Sequence, residues 1–148
     1  MWKKIFSTGN ESHLTIMRIT LGIVMLGHGL QKSFGWFEGF GWANTIHYFT
    51  NTVGLPAALG GFVILIETIG AVMLILGMAG RINAALMIAV ITGAFFVDHL
   101  PNGFFMNWFG NHQGEGYEFD LLFVAIALSI VMKGSGRFSM DKLLCSRF

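Results

Sequence analysis

The chain has 148 residues, 54% of them hydrophobic and 11% charged, with a formal net charge of +1 and a mean hydropathy of +0.66. Soluble domains carry about 25% charged residues, so the composition excludes an ordinary soluble enzyme and predicts one integral membrane domain over residues 1–148. The near-zero charge without a basic, aromatic-interleaved patch excludes nucleic acid as a partner, and the single Cys145 excludes both an internal disulfide and a CxxC redox pair.

Met1 to His13 carries Lys3 and Lys4 but no compact apolar run with a small-residue cleavage site, and Arg18 interrupts the apolar stretch that follows. The expectation is an uncleaved first helix, spanning about residues 14–32. Gln31 to Leu55 holds Trp36, Phe37, Trp42 and Tyr48, a density of aromatics suited to a segment at the membrane interface, in part as a short amphipathic helix.

The second span, about 56–79, is the most apolar, and it carries one carboxylate, Glu67, near its middle. Pro56 suits its first turn. An acid at that depth is costly, so it must face other helices or a wet cavity and find a partner. Gly60 lies about 20° from Glu67 around the helix, which suits close packing or a small cavity on that face. Met78 to Arg81 forms a tight turn, which makes spans two and three antiparallel neighbours.

The third span, about 81–99, carries Ala85, Ala89 and Gly93 at four-residue spacing, a ridge that admits another helix closely. Asp98 to Gly116 reads as a second polar and aromatic loop. The apolar part of the fourth span, Leu121 to Met132, is too short to cross alone, so the span is drawn over about 114–133 and takes in Glu118 and Asp120. In the basic tail, Ser139 is placed to cap a short final helix.

Threading four spans puts Lys3, Lys4, Arg81, Lys133, Arg137, Lys142 and Arg147 on one side, with Lys32 alone opposite. The positive-inside rule then makes both termini cytoplasmic. The predicted fold is all-α: a transmembrane four-helix bundle that crosses the membrane several times.

Two polar constellations follow. Arg18 and Glu67 approach from opposite ends of the bundle; they read either as a structural ion pair fixing helix register or as a site in which Glu67 binds substrate or protons. Near the outer face, His28 and Lys32 share a helix face at i, i+4, Asp98 and His99 end the third span, and Glu118 and Asp120 begin the fourth. This layer reads as interfacial anchoring and capping, as a site that hydrogen-bonds a quinone headgroup and relays protons, or, with no recognised ligand spacing, as a metal site. His47 and His112 read as solvated loop residues. Six of the nine methionines, Met17, Met25, Met73, Met78, Met87 and Met132, lie in or at the ends of spans as ordinary filler, and no Met-rich loop suggests a copper-handling array.

Arg18, His28-Gly29 with Lys32, Glu67 with Gly70, the Gly77 to Arg81 turn, Gly116-Tyr117-Glu118, and the segment from Gly134 to Asp141 occur in this order along the chain. Together they resemble the DoxX family of small bacterial membrane proteins. The resemblance implies four helices and a role in a redox system, since the family name comes from a subunit of a thiosulfate:quinone oxidoreductase. The expected function is a quinone-linked component, with a partner redox subunit or a homo-oligomer. The alternatives are a non-catalytic scaffold or accessory subunit, and a small-molecule or metal transporter component.

Overall fold

The structure is a computed structural model that describes residues 6–145, so Lys3, Lys4 and Arg147 of the charge argument lie outside the described residues. Those residues form six helices and no strand. They are α1 (Ser12–Phe34), α2 (Gly41–Asn51), α3 (Ala57–Leu76), α4 (Gly80–Asn102), α5 (Glu118–Lys133) and α6 (Met140–Cys145). Three of them, α1, α3 and α4, with 23, 20 and 23 residues, are long and apolar enough to cross a membrane.

α5 is shorter than the predicted fourth span. It starts at Glu118, four residues later than expected, because the preceding segment folds back on the end of α4. Tyr117 N donates to Gly103 O (3.1 Å) and Glu118 N to Phe104 O (2.9 Å). Gly116 permits this approach, since a Cβ there would sit 2.3 Å from Phe105 O. The other starts shift by a residue or two: Pro56 precedes the first turn of α3 as its N-cap.

α2 is a short helix within the first aromatic segment, as expected there. It packs on α1 and α3, and its Phe49 ring fills the space over Gly60, where a Cβ would come within 2.8 Å of it. The Gly60 face is thus closely packed. His47, expected in a loop, lies on α2 with its side chain exposed, and His112 is exposed in the second loop.

The core joins Leu21 and Met25 of α1, Ile66, Ala71 and Leu74 of α3, Met87 and Ile91 of α4, and Phe123, Ala127 and Ile130 of α5. Lipid is as apolar as these side chains, so helices hold together by close packing, which small residues allow. Gly22 faces Ile75 and Ala71, and Gly29 meets the backbone of Glu67 and Thr68, where a Cβ would lie 2.4 Å from Glu67 O. The ridge of α4 turns the other way. Ala85, Ala89 and Gly93 are exposed with nothing within 4 Å of the Gly93 position, and α4 packs inward through Asn83, Ala84, Met87 and Ile91.

Two helices widen into π-helical turns. Ile66–Gly70 interrupts α3, and Phe95–His99 interrupts α4 just before a 3-10 turn over Leu100–Asn102. The second has a local cause: Pro101 supplies no amide hydrogen and crowds the preceding turn, and the Asn102 side-chain amide instead donates to Asp98 O (2.7 Å). The first carries Ile66, Glu67, Gly70 and Ala71 all inward. π-turns often mark functional sites, and these two carry Glu67, Asp98 and His99.

Candidate functional site

The bundle has two chemically distinct ends. The terminal end gathers residues 7–10 and 133–145, tied together by bonds such as Gly9 N to Lys133 O (3.1 Å) and Gly136 N to Thr8 Oγ1 (2.7 Å). The loop end holds α2 and residues 103–117.

Arg18 belongs to the terminal end and does not pair with Glu67. The guanidinium is fully buried and donates only to backbone carbonyls: Nε to Ser135 O (2.9 Å), Nη2 to Phe138 O (2.7 Å), and Nη1 to Leu74 O and Ile75 O. Leu74 and Ile75 are in the last turn of α3, whose final carbonyls have no intrahelical partner and carry the negative end of the helix dipole. Distance rules out the expected pair. Glu67 lies level with Gly29, eleven residues beyond Arg18 on α1, which is about 16 Å along the helix.

Asp141 complements Arg18. Its carboxylate is 1% exposed and accepts from Ala79 N (2.7 Å), Gly80 N (2.9 Å) and Ser135 Oγ (2.6 Å). It caps the start of α4 and holds Ala79 in a left-handed conformation (φ 50°) that non-glycine residues rarely adopt. Ser139 caps α6 as expected, accepting from Lys142 N (3.3 Å). Arg81 does for α5 what Arg18 does for α3, donating to Val131 O and to Met132 O (2.8 Å). The terminal end is therefore a clip across helix ends. Its acid, Asp141, was not legible as a site residue; the only cue was its place in the Gly134 to Asp141 motif.

At the loop end Glu67 is buried and paired with Lys32: Nζ donates to Oε2 over 2.6 Å, with the lysine side chain 29% and the glutamate 5% exposed. A second pair joins α4 to α5. His99 Nδ1 lies 2.7 Å from Asp120 Oδ2, and Asp120 is 3% exposed. Its other oxygen, Oδ1, is buried and accepts no hydrogen bond from the described residues. His28 is exposed on α1, one helical turn before Lys32 and within electrostatic range of Lys32, Glu67 and His99.

Of the six predicted layer residues, His99 and Asp120 thus pair with each other, Lys32 pairs with Glu67 of the other constellation, and His28 lies on the turn before Lys32. The other two have separate duties. Glu118 organises the second loop, with Oε1 accepting from Met106 N (3.1 Å) and Trp108 Nε1 (3.4 Å). Asp98 ties α4 to α2 by accepting from the Tyr48 hydroxyl (2.7 Å). Among the described residues no group of three or more His, Cys, Asp or Glu side chains is arranged to hold a metal ion.

The Asp98 bond, with smaller help from partial burial, pushes the Tyr48 hydroxyl up to about 12 from its ordinary 10. Because the folded value lies above the unfolded one, the stabilisation from this tie is complete below pH 10 and is lost as pH rises through about 12. In a Tyr117→Phe background, which leaves Tyr48 as the one tyrosine, ultraviolet titration is expected to find its midpoint near 12. Asp98→Asn should return it toward the ordinary value of about 10; a midpoint unmoved by Asp98→Asn would disprove the tie.

These features define a small helical membrane protein that keeps ionisable side chains between its helices. The chain belongs to the DoxX family: the family model described as DoxX matches residues 13–100. It is 30% identical over 126 residues to a Bacillus subtilis (strain 168) protein named "Putative oxidoreductase CatD", an alignment covering 85% of this chain and 82% of that protein. No solved structure matches it.

Proposed function

We propose that this protein is the quinone-binding membrane component of a redox system, with its ligand site at the loop end. The observation that carries this reading is Asp120 Oδ1, a buried carboxylate oxygen with no partner among the described residues, beside His99, with His28 in electrostatic range of His99 and of the Lys32–Glu67 pair. A buried acceptor left unsatisfied is costly, and a ligand hydroxyl would satisfy it. His28, exposed on a membrane-crossing helix, gives an amphipathic molecule access from the lipid side. Lys32 and the imidazoles of His28 and His99 supply donors for a carbonyl oxygen. A quinone, when bound, supplies two-electron, two-proton chemistry. The name of the Bacillus subtilis relative, an oxidoreductase, fits that class.

In this reading the chain crosses a bacterial inner membrane four times, with both termini in the cytoplasm. α5 supplies the fourth crossing. Its 16 residues reach about 24 Å, and the folded second loop, with Phe105, Trp108 and Phe109 exposed at its tip, completes the interface. The cationic side chains favour this orientation, since Arg81, Lys133, Arg137 and Lys142 lie at the terminal end.

The test is saturable binding of short-chain ubiquinone and menaquinone analogues to purified protein, followed by tryptophan quenching. Asp120→Asn and His28→Ala should each weaken binding at least about tenfold, the loss expected for one charge-assisted hydrogen bond, and the exposed His28→Ala change should leave thermal unfolding unchanged. Absence of saturable binding, or an Asp120→Asn protein that binds like wild type, would rule the reading out. The exposed Ala85, Ala89 and Gly93 ridge favours a second role, accessory subunit to a partner helix. Complex formation abolished by Gly93→Leu, with quinone binding intact, would separate the two.

A further inference from the structure

At the opposite end of the molecule from the quinone reading, and independent of it, a groove of about 590 Å³ runs between the end of α3 and α6. Its walls are Leu76, Phe138, Met140 and Leu143, and its cations are Arg137 and Lys142. Leu76, Phe138 and Leu143 are between 50% and 68% exposed, too much apolar surface for water to be the only neighbour. Leu76 is the last residue of a membrane-crossing helix, so the groove opens onto the same surface that meets acyl chains.

Among the described residues the charge in the groove is of one sign. Arg137 sits over the Phe138 ring, 5.3 Å from its centroid. Lys142 donates to the side-chain oxygen of Asn10, a neutral partner. No acid among the described residues lines the groove. The nearest in sequence, Asp141, is buried, and its two oxygens are engaged by Ala79 N, Gly80 N and Ser135 Oγ.

We infer that this groove is a binding site for an anionic phospholipid, whose phosphate bridges Arg137 and Lys142 while an acyl chain lies along Leu76, Phe138 and Leu143. Arg137 and Lys142 supply the headgroup recognition, and the apolar wall supplies the requirement for a chain. Such basic pockets at the ends of membrane helices select lipid headgroups by charge. The site seats the clip, which spans three helix ends, on the membrane surface.

Protein purified in a neutral maltoside detergent is titrated with dioleoyl phosphatidylglycerol or dioleoyl phosphatidylcholine, and bound lipid is counted by native mass spectrometry. Two surface cations predict a preference of about 30-fold for phosphatidylglycerol. Arg137→Gln with Lys142→Gln should reduce it to within about threefold. Arg137→Gln alone, at an exposed position that should not disturb folding, should reduce it about fivefold. Arg137→Lys with Lys142→Arg should preserve it, as should Lys133→Gln, which removes an exposed charge of the same end outside the groove. Equal binding of the two lipids by wild type would overturn the site. So would a Lys133→Gln effect as large as that of the double variant, or full competition by glycerol phosphate without acyl chains.

Discussion

Arg18→Leu is expected to cost about 3–5 kcal/mol, the range for removing one side of a buried charged network. The leucine is apolar like its surroundings, but it leaves the carbonyls of Leu74, Ile75, Ser135 and Phe138 without the donor that now satisfies them. Each buried unsatisfied carbonyl costs about 1–3 kcal/mol, and relaxation at the helix end recovers part of that. Thermal unfolding in detergent, followed by circular dichroism, should show a fall of about 10 °C or more. Arg18→Lys should recover part of the loss, because one ammonium can reach some of the four acceptors but not match the planar fork. An Arg18→Leu protein that melts within about 3 °C of wild type, about 1 kcal/mol on that scale, would show that the clip contributes little.

The second large effect is expected at the loop end. Lys32→Met should destabilise by about 3 kcal/mol or more, because it strands a carboxylate that is 5% exposed at mid-helix without its ammonium partner. Adding Glu67→Gln removes the stranded charge and should bring the protein back to within about 1 kcal/mol of wild type, as replacing both members of a buried pair commonly does. The double variant also separates packing from function. If the pair only fixes the approach of α1 to α3, the double variant should bind quinone analogues like wild type; a ligand role predicts a stable fold with weakened binding. A double variant no more stable than Lys32→Met alone would remove Glu67 as the source of the cost.

The helices themselves were largely legible. The long apolar runs placed α1, α3 and α4 within a few residues of their observed bounds, because a membrane span must be apolar over most of its length. The capping serine of α6 was also readable, since an N-cap is a local event between residues three apart. Likewise, the costliness of Glu67 meant that it would be buried with a partner.

Which partner it has was not legible. Arg18 and Lys32 are both cations on α1, and the choice depends on depth, which the contact of Gly29 with the Glu67 backbone sets. Arg18 then takes main-chain carbonyls, acceptors that every residue carries and no sequence pattern marks. Similar reasons hid the sorting of the outer layer. Glu118 and Asp120 are two residues apart, yet one serves the loop and the other faces His99. The small-residue ridge identified a close-packing face on α4 without saying that it points away from the rest of the chain.

From its composition and hydropathy alone this chain was bound to be a membrane protein of helices, because transfer of apolar segments out of water depends on what each segment contains. Which ionisable groups meet was decided only by the packed helices. Pairing depends on relative depth and rotation, and those are set by glycine contacts, π-turns and a proline that act between segments far apart in the chain.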